Sequence, residues 1–181
     1  MFKAIATVAA LVATPAFSAG LEIDIAGEAN GTVVIDLFED VAPKHVAQIT
    51  TIAGNGEYDG VVFHRVIEGF MAQTGDVAFG RADNLGRAGT GGSSLPDIPA
   101  EFSDINFARG VVGMARSQNP NSANSQFFIM FDEGAFLNGQ YTVVGKVTSG
   151  MEIVDAIKRG QGQSGAVSGT PDVMQAVRVT D

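Results

Sequence analysis

Cysteine and tryptophan are absent from this 181-residue chain, and histidine occurs only twice. Without cysteine there can be no disulfide, no thiolate nucleophile and no zinc site built on thiolates. His45 and His64 lie far apart in the sequence, and neither has other imidazole or carboxylate groups at metal-ligand spacing. We therefore expect no metal site.

Positive charge is also scarce, with 11 Lys and Arg against 20 Asp and Glu and a formal net charge of −9. No cluster of basic residues offsets this excess, so the phosphate backbone of a nucleic acid would be repelled. We expect no nucleic-acid partner. The chain also lacks the G-x-S-x-G sequence of serine hydrolases, which makes that class of enzyme a poor interpretation of its serines.

Only one long apolar stretch is present, and it lies at the amino end in "MFKAIATVAALVATPAFSAG". Lys3 precedes an apolar run from Ala4 to Val12, and small residues follow, which is the layout of a secretory signal peptide. A membrane anchor is the alternative, but the run is shorter than the ~20 residues that a span needs, and Pro15 interrupts it.

We therefore predict that residues 1–18 are a signal peptide cleaved after Ser18. Residues 19–181 then form a single mature domain with a periplasmic or secreted location and no membrane attachment after cleavage. No long exposed apolar segment calls for obligate assembly, so we expect a monomer.

Glycine is abundant, with 23 residues scattered between short apolar runs. "LEIDIA" and "TVVIDLF" have the alternation of a hairpin, and further short strand patterns follow. Two segments, "PKHVAQITTIAG" and "GMEIVDAIKRG", have helical periodicity. In the first helix, Val46, Ile49 and Ala53 share the apolar face, and we expect His45 to lie on the surface. A closed antiparallel barrel with helical covers fits this pattern, because closure removes exposed edges.

One stretch, "FHRVIEGFMAQTGD", places Arg65 and Gln73 among large apolar side chains. Taken alone, the arginine could be a catalytic electrophile, a phosphate hook or half of a buried ion pair. Two further segments decide between these possibilities. They are "GMARSQNPNSANSQFFIM" and "FLNGQYTVVGKV", which follow in that order.

Together the three segments resemble the cyclophilins, the peptidyl-prolyl cis/trans isomerases, and the bacterial exported type in particular. The resemblance extends from about Leu21 to Asp181. It implies a mostly β fold, namely a closed eight-stranded antiparallel β-barrel capped by two α-helices. It also implies proline-containing polypeptides as substrates and no cofactor.

The resemblance assigns roles to individual residues. Arg65 is the expected catalytic arginine, Gln73 orients it, and His64 has a structural role beside it. The expected substrate-binding residues are Phe70, Met71, Ala115, Arg116, Gln126, Phe128, Phe136, Leu137 and Tyr141.

Three of these positions depart from the common pattern. Phe136 stands where many members carry tryptophan, Tyr141 where a histidine is usual, and Arg116 where an asparagine is common. Loss of the indole N–H removes a donor that cyclosporin uses, so we expect weak cyclosporin binding. Arg116 adds a positive charge near the rim, from which we expect a preference for acidic neighbours of the proline.

Isomerisation of an X-Pro bond requires few functional groups. An X-Pro bond prefers trans by only ~0.5–1 kcal/mol, but rotation faces a barrier of ~18–20 kcal/mol because the amide is conjugated. A site that binds the twisted amide better than either planar form lowers that barrier. An arginine that donates to the prolyl nitrogen and an apolar pocket for the ring would suffice. The alternative is a proline-peptide binding module or chaperone that uses the same pocket without turnover.

Overall fold

The computed structural model describes residues 19–180, so the predicted signal peptide lies outside the described residues. They form nine strands, two α-helices and one short 3₁₀ helix. The strands are β1 (Gly20–Ala26), β2 (Gly31–Leu37), β3 (Val61–Val62), β4 (Arg65–Ile67), β5 (Met71–Thr74), β6 (Val111–Met114), β7 (Phe127–Met130), β8 (Val143–Ser149) and β9 (Val173–Thr180). The helices are α1 (Pro43–Gly54), α2 (Met151–Ala156) and the 3₁₀ helix Ala135–Leu137. No helix in this part of the chain is long and apolar enough to cross a membrane.

The predicted opening hairpin is confirmed. β1 and β2 pair antiparallel, with Leu21 opposite Ile35 and Ile23 opposite Val33. These four side chains are buried, while the residues between them alternate toward solvent, as a half-buried strand requires. β9 pairs with the other edge of β1, so the carboxyl-terminal strand lies beside the first one.

The strand count and the closure of the barrel differ from the expectation. One sheet contains all nine strands in the order β3-β9-β1-β2-β8-β6-β7-β5-β4. The expected closed barrel of eight strands is therefore wrong, and the sheet is a curled, half-barrel structure with β3 and β4 at its two edges. Only Phe63 and His64 separate these edge strands along the chain. The apolar sequence "VVFHRVI" resembles one continuous strand, but its two halves pair with different neighbours.

Two apolar clusters fill the part of the chain that the structure describes. The larger one, called the main core, includes Ile23, Ile35, Ile49, Phe127 and Ile129 and packs α1 against the sheet. The smaller one, called the pocket cluster, consists of Met71, Phe107, Val111, Phe128, Met130, Leu137 and Val143. Neighbouring residues of β7 belong to different clusters, because successive side chains of a strand point to opposite faces.

His45 is buried, which corrects the prediction of a surface side chain. It is 0% exposed, and its Nδ1 lies 2.6 Å from Oε2 of Glu101. The same carboxylate accepts hydrogen bonds from the backbone N–H groups of Lys44 and His45. No side chain of α1 itself caps the helix, so Glu101 supplies the acceptor that its free N–H groups need. A helical pattern cannot show a partner on a distant loop.

α2 is shorter than predicted and ends at Ala156. Ile157 adopts an extended conformation with ψ 132° and is nevertheless buried. The next N–H group, of Lys158, donates to Oδ2 of buried Asp172. That side-chain acceptor replaces a helical carbonyl, so the chain leaves the helix one turn before Gly160.

Candidate active site

A row of residues crosses four neighbouring strands on the face of the sheet that carries the pocket cluster. Arg65 on β4 is opposite Gln73 on β5, Gln73 is opposite Phe128 on β7, and Phe128 is opposite Gly113 on β6. Residues directly opposite each other share a face of the sheet, so strand register alone aligns them. A Cβ at Gly113 would lie 2.5 Å from the Phe107 ring and 2.6 Å from the Phe128 ring. Glycine at this position therefore leaves room for both rings.

The Arg65 guanidinium is held from two sides. Its Nη1 donates to Oε1 of Gln73 at 3.2 Å and lies 3.9 Å from Sδ of Met71. Its Nε donates to the backbone carbonyl of Ser164 at 3.0 Å. Nη2 has no hydrogen-bond partner within residues 19–180, so this nitrogen can donate to a bound molecule.

Arg65 keeps its charge although it is partly buried. Desolvation lowers the pKa of its guanidinium below the ordinary value, and the nearby Tyr141 acts in the opposite direction. An arginine remains protonated at neutral pH even after such a shift. The site therefore presents a fixed cation beside an apolar surface, where an N–H donor is stronger than it would be in water.

A relay of amides continues behind Arg65. Gln73 Nε2 donates to Oε1 of Gln126 at 2.9 Å, and Gln126 Nε2 donates to the carbonyl of Gly91 at 2.7 Å. The N–H of Gly91 in turn donates to Asp76, which is fully buried. Each amide thus has its orientation fixed by the next group, and the final anchor is a carboxylate in the protein interior.

A cavity of about 280 Å³ opens beside this network. Its lining consists of Arg65, Phe70, Met71, Gln73, Ala115, Arg116, Phe128, Phe136, Leu137 and Tyr141. Ten of the eleven residues that the sequence singled out therefore surround one cavity. The eleventh, Gln126, lines an adjoining polar cavity of about 550 Å³, which shares Gln73, Ala115 and Arg116 with the first. The structure thus brings all the proposed site residues together, and their individual roles remain predictions.

Aromatic rings form the floor and the walls of the smaller cavity. Phe128 is the floor, stacked on Phe107 with centroids 5.7 Å apart and met edge-on by Tyr141 at 5.8 Å. Phe70 and Phe136 pack together at 5.4 Å on another side. Phe136 is 71% exposed, so the pocket has an apolar lip that projects into solvent.

His64 directly precedes the arginine and is buried, which agrees with a structural role. Desolvation lowers the pKa of its imidazole, with a smaller opposing contribution from the charge of Asp76. Neither ring nitrogen has a hydrogen bond of standard geometry in the described residues. A Cβ at Gly89 would lie 3.1 Å from the ring, so the glycine-rich loop packs closely against it.

Several contributors to the site were missed by sequence reasoning. The backbone carbonyl of Ser164 holds Arg65. The amide relay ends on Gly91 and Asp76. Ser164 acts through its backbone carbonyl from 99 residues away, and no side-chain motif can reveal such a contact. The acidic residue that ends "GFMAQTGD" was the one available signal, because an aspartate after a glycine turn commonly accepts backbone N–H groups.

The chain matches the family model described as cyclophilin type peptidyl-prolyl cis-trans isomerase over residues 21–180. A probable peptidyl-prolyl cis-trans isomerase of Brucella suis is 62% identical over 156 residues, which span 84% of this chain and 80% of that protein. A peptidyl-prolyl cis-trans isomerase of Arabidopsis thaliana is 38% identical over 133 residues, or 72% of this chain and 79% of the relative.

Solved structures show the same fold. A cyclophilin from Hirschia baltica superposes with a TM-score of 0.71 at 27% identity, covering 87% of this chain and 72% of that one. A cyclophilin-type isomerase from Cryptosporidium parvum, crystallised in the presence of the dipeptide Ala-Pro, has a TM-score of 0.75 at 26% identity. That match covers 90% of this chain and 99% of the other.

Proposed function

The chain belongs to the cyclophilin type peptidyl-prolyl cis-trans isomerase family, and from that premise we propose that it accelerates rotation about X-Pro bonds in exported or folding proteins. The observation that carries the proposal is the geometry of Arg65. Its guanidinium is held from two sides by Gln73 and Ser164, while Nη2 has no partner among the described residues. That free donor lies on the wall of a cavity in which most of the lining residues are apolar.

Rotation of an X-Pro bond removes the conjugation between the prolyl nitrogen and the carbonyl of the preceding residue. The nitrogen regains a lone pair in the twisted state and becomes a hydrogen-bond acceptor. An N–H donor fixed at that position stabilises the twisted state and has little to bind in either planar form. Because only this differential binding accelerates the step, a rigidly held Arg65 is suited to the task.

The pocket would hold the proline ring while the preceding residue rotates. Phe128 offers a flat apolar floor, and Met71 and Leu137 lie beside it in the same cavity. A structure of the same fold was determined in the presence of the dipeptide Ala-Pro, which supports a proline-containing peptide as the ligand class. Burial of the ring also excludes water, which strengthens the hydrogen bond from the arginine.

The magnitudes are compatible with this mechanism. Shortening the isomerisation time from tens of seconds to milliseconds needs a gain on the order of 10⁴, or roughly 5–6 kcal/mol. A hydrogen bond from a charged donor contributes roughly 1.5–3 kcal/mol. Selective binding of the twisted peptide by the pocket would supply the remainder. The test is the cis-to-trans rate of a proline peptide with and without the protein, alongside variants of Arg65.

A binding module or chaperone is the second candidate. Phe136 is 71% exposed and packs on Phe70, and such an apolar lip could hold an unfolded segment without turnover. The two candidates separate in one experiment. Saturable binding of a proline peptide, with no increase in its isomerisation rate, would favour the binding module.

We also propose that the protein is exported, with cleavage after Ser18, and acts as a monomer in the periplasm or outside the cell. The charge and small-residue pattern of residues 1–18 supports export. Mass spectrometry of the protein purified from its native host would give the mature amino terminus. A mature protein that begins at Met1 would contradict the proposal.

A further inference from the structure

Arg116 lies against Tyr141 at the rim of the pocket. Its guanidinium carbon is 4.3 Å from the centre of the tyrosine ring, well within the range of a cation–π interaction. Tyr141 also meets the floor ring, Phe128, edge-on. The ring of Tyr141 is therefore contacted by an arginine on one face and also packs at a steep angle against the ring of the pocket floor.

Every nitrogen of the Arg116 guanidinium has a backbone carbonyl as a partner. Nε and Nη2 both donate to Gln140, at 3.3 and 2.9 Å. Nη1 donates to Ser117 at 2.9 Å and lies 3.4 Å from the carbonyl of Gln118. Gln140 directly precedes Tyr141, so one guanidinium fixes both the backbone and the ring of the same segment, and ties it to the loop after β6.

These contacts alter the role expected for the positive charge of Arg116. The sequence suggested that Arg116 would attract acidic neighbours of the proline. A carboxylate of the substrate would have to displace at least one of these carbonyl partners to form a paired hydrogen bond with this group. Four of the five N–H groups of the guanidinium are already used within the protein.

We propose that Arg116 is a positioning residue for the isomerase reaction, which fixes Tyr141 as a wall of the proline pocket and does not read the charge of the substrate. The inference rests on the proposed function. A planar fork is needed for the role, because a single ammonium group cannot bind three carbonyls and cover a ring at once. Lysine would therefore restore the ring contact only in part.

The first test follows Tyr141 itself and needs no activity. The chain has only two tyrosines, and the other, Tyr58, is fully buried with its hydroxyl bound to Ser125. The measurement is NMR of protein labelled with ¹³C on the tyrosine rings. In Arg116→Gln the chemical shifts of the Tyr141 ring should change, and its signals should show averaging because the ring becomes mobile. The signals of Tyr58 should stay unchanged. Unchanged Tyr141 signals would overturn the proposal.

The second test measures kcat and KM on peptides with Ala, Glu or Lys before the proline. Arg116→Gln should raise KM about fivefold on all three peptides, as expected for the loss of one cation–π contact and its hydrogen bonds. Arg116→Lys should recover part of that loss. A loss confined to the Glu peptide would overturn the proposal and assign Arg116 to substrate recognition.

Arg87→Gln is the matched control. Arg87 also covers an aromatic ring, that of Phe79 at 3.5 Å, and does not line the proline pocket. The same loss of charge and ring contact there should leave KM unchanged, and an equal rise in KM would overturn the proposal. An inactive wild-type protein whose Tyr141 signals still respond to Arg116→Gln would instead count against the proposed function alone.

Discussion

Oε2 of Glu101 lies 2.6 Å from Nδ1 of His45, and this pair joins the loop before β6 to the first turn of α1. Burial is the main cause that lowers the pKa of His45 below its ordinary 6.5, with the Glu101 carboxylate acting against it. The pKa of Glu101 is also lowered, by its hydrogen bonds to His45 and Lys44 against the opposing effect of burial. Both shifts favour the same pair of protonation states, a neutral imidazole on His45 and an ionised carboxylate on Glu101.

The first prediction is that stability falls as the pH drops below about 6.5. A group whose pKa is lowered by folding binds its proton more readily in the unfolded chain, so protonation favours unfolding. The free energy of unfolding in urea should decrease from pH 7 to pH 5. His45→Gln should flatten that slope in part, since His64 is buried and shifted in the same direction. An unchanged slope in the variant would contradict the role of His45.

Local patterns predicted the parts of the fold and site that depend on neighbouring residues. Arg65 and Gln73 lie on adjacent strands of one hairpin, so their pairing follows from a short motif. Glu101 and Ser164 reach their partners from 56 and 99 residues away. Nothing in the spacing of α1 marks His45 as buried, because the acceptor that makes burial tolerable belongs to another segment. The interruption between β3 and β4 at Phe63 could not be predicted for the same reason, because an apolar run does not determine which strand it pairs with.

The second prediction concerns the loop that holds Arg65 from behind. Gly165 has φ +68°, and a Cβ there would collide with Cγ1 of Ile67 and lie 3.1 Å from the Val66 carbonyl. Gly165→Ala should move the loop that contains the Ser164 carbonyl and lower kcat several-fold, because Nε of Arg65 loses its acceptor. Steady-state kinetics of the isomerisation would measure the effect.

Gly162→Ala is its matched control. Gly162 has φ +62°, but a Cβ added there would meet nothing within 4 Å, so both variants carry a similar backbone cost of about 1 kcal/mol. The melting temperature should fall further in Gly165→Ala, which adds the collision with Ile67 to the shared backbone cost, and kcat should fall only in that variant. Equal kcat values in the two variants would show that the Ser164 contact has no part in positioning the arginine.

The third prediction is that Gln73→Ala lowers kcat about tenfold or more, since Nη1 of Arg65 loses its side-chain acceptor and Gln126 loses its donor. KM should change less, because the apolar lining that binds the ring is kept. Gln175 on β9 is exposed and does not line the cavity, so Gln175→Ala serves as control. A Gln73→Ala enzyme with the wild-type kcat would remove the relay from the mechanism.

The fourth prediction is weak cyclosporin binding that a single substitution improves. Phe136 is on the pocket lip and lacks the indole N–H of tryptophan. Phe136→Trp should tighten binding up to about tenfold, the effect of one neutral hydrogen bond. Titration calorimetry of both proteins would measure it. Tight binding by the wild type, or no gain in the variant, would refute the prediction.

The role of Arg65 is decided by the cis-to-trans rate of a proline peptide with residues 19–181 of the wild type, Arg65→Ala and Arg65→Lys. We expect kcat/KM to fall about 10- to 100-fold in both variants, because neither offers a guanidinium held by Gln73 and Ser164. Arg87→Ala should match the wild type, and all four proteins should unfold cooperatively. A wild-type rate in the folded Arg65→Ala protein would contradict the mechanism.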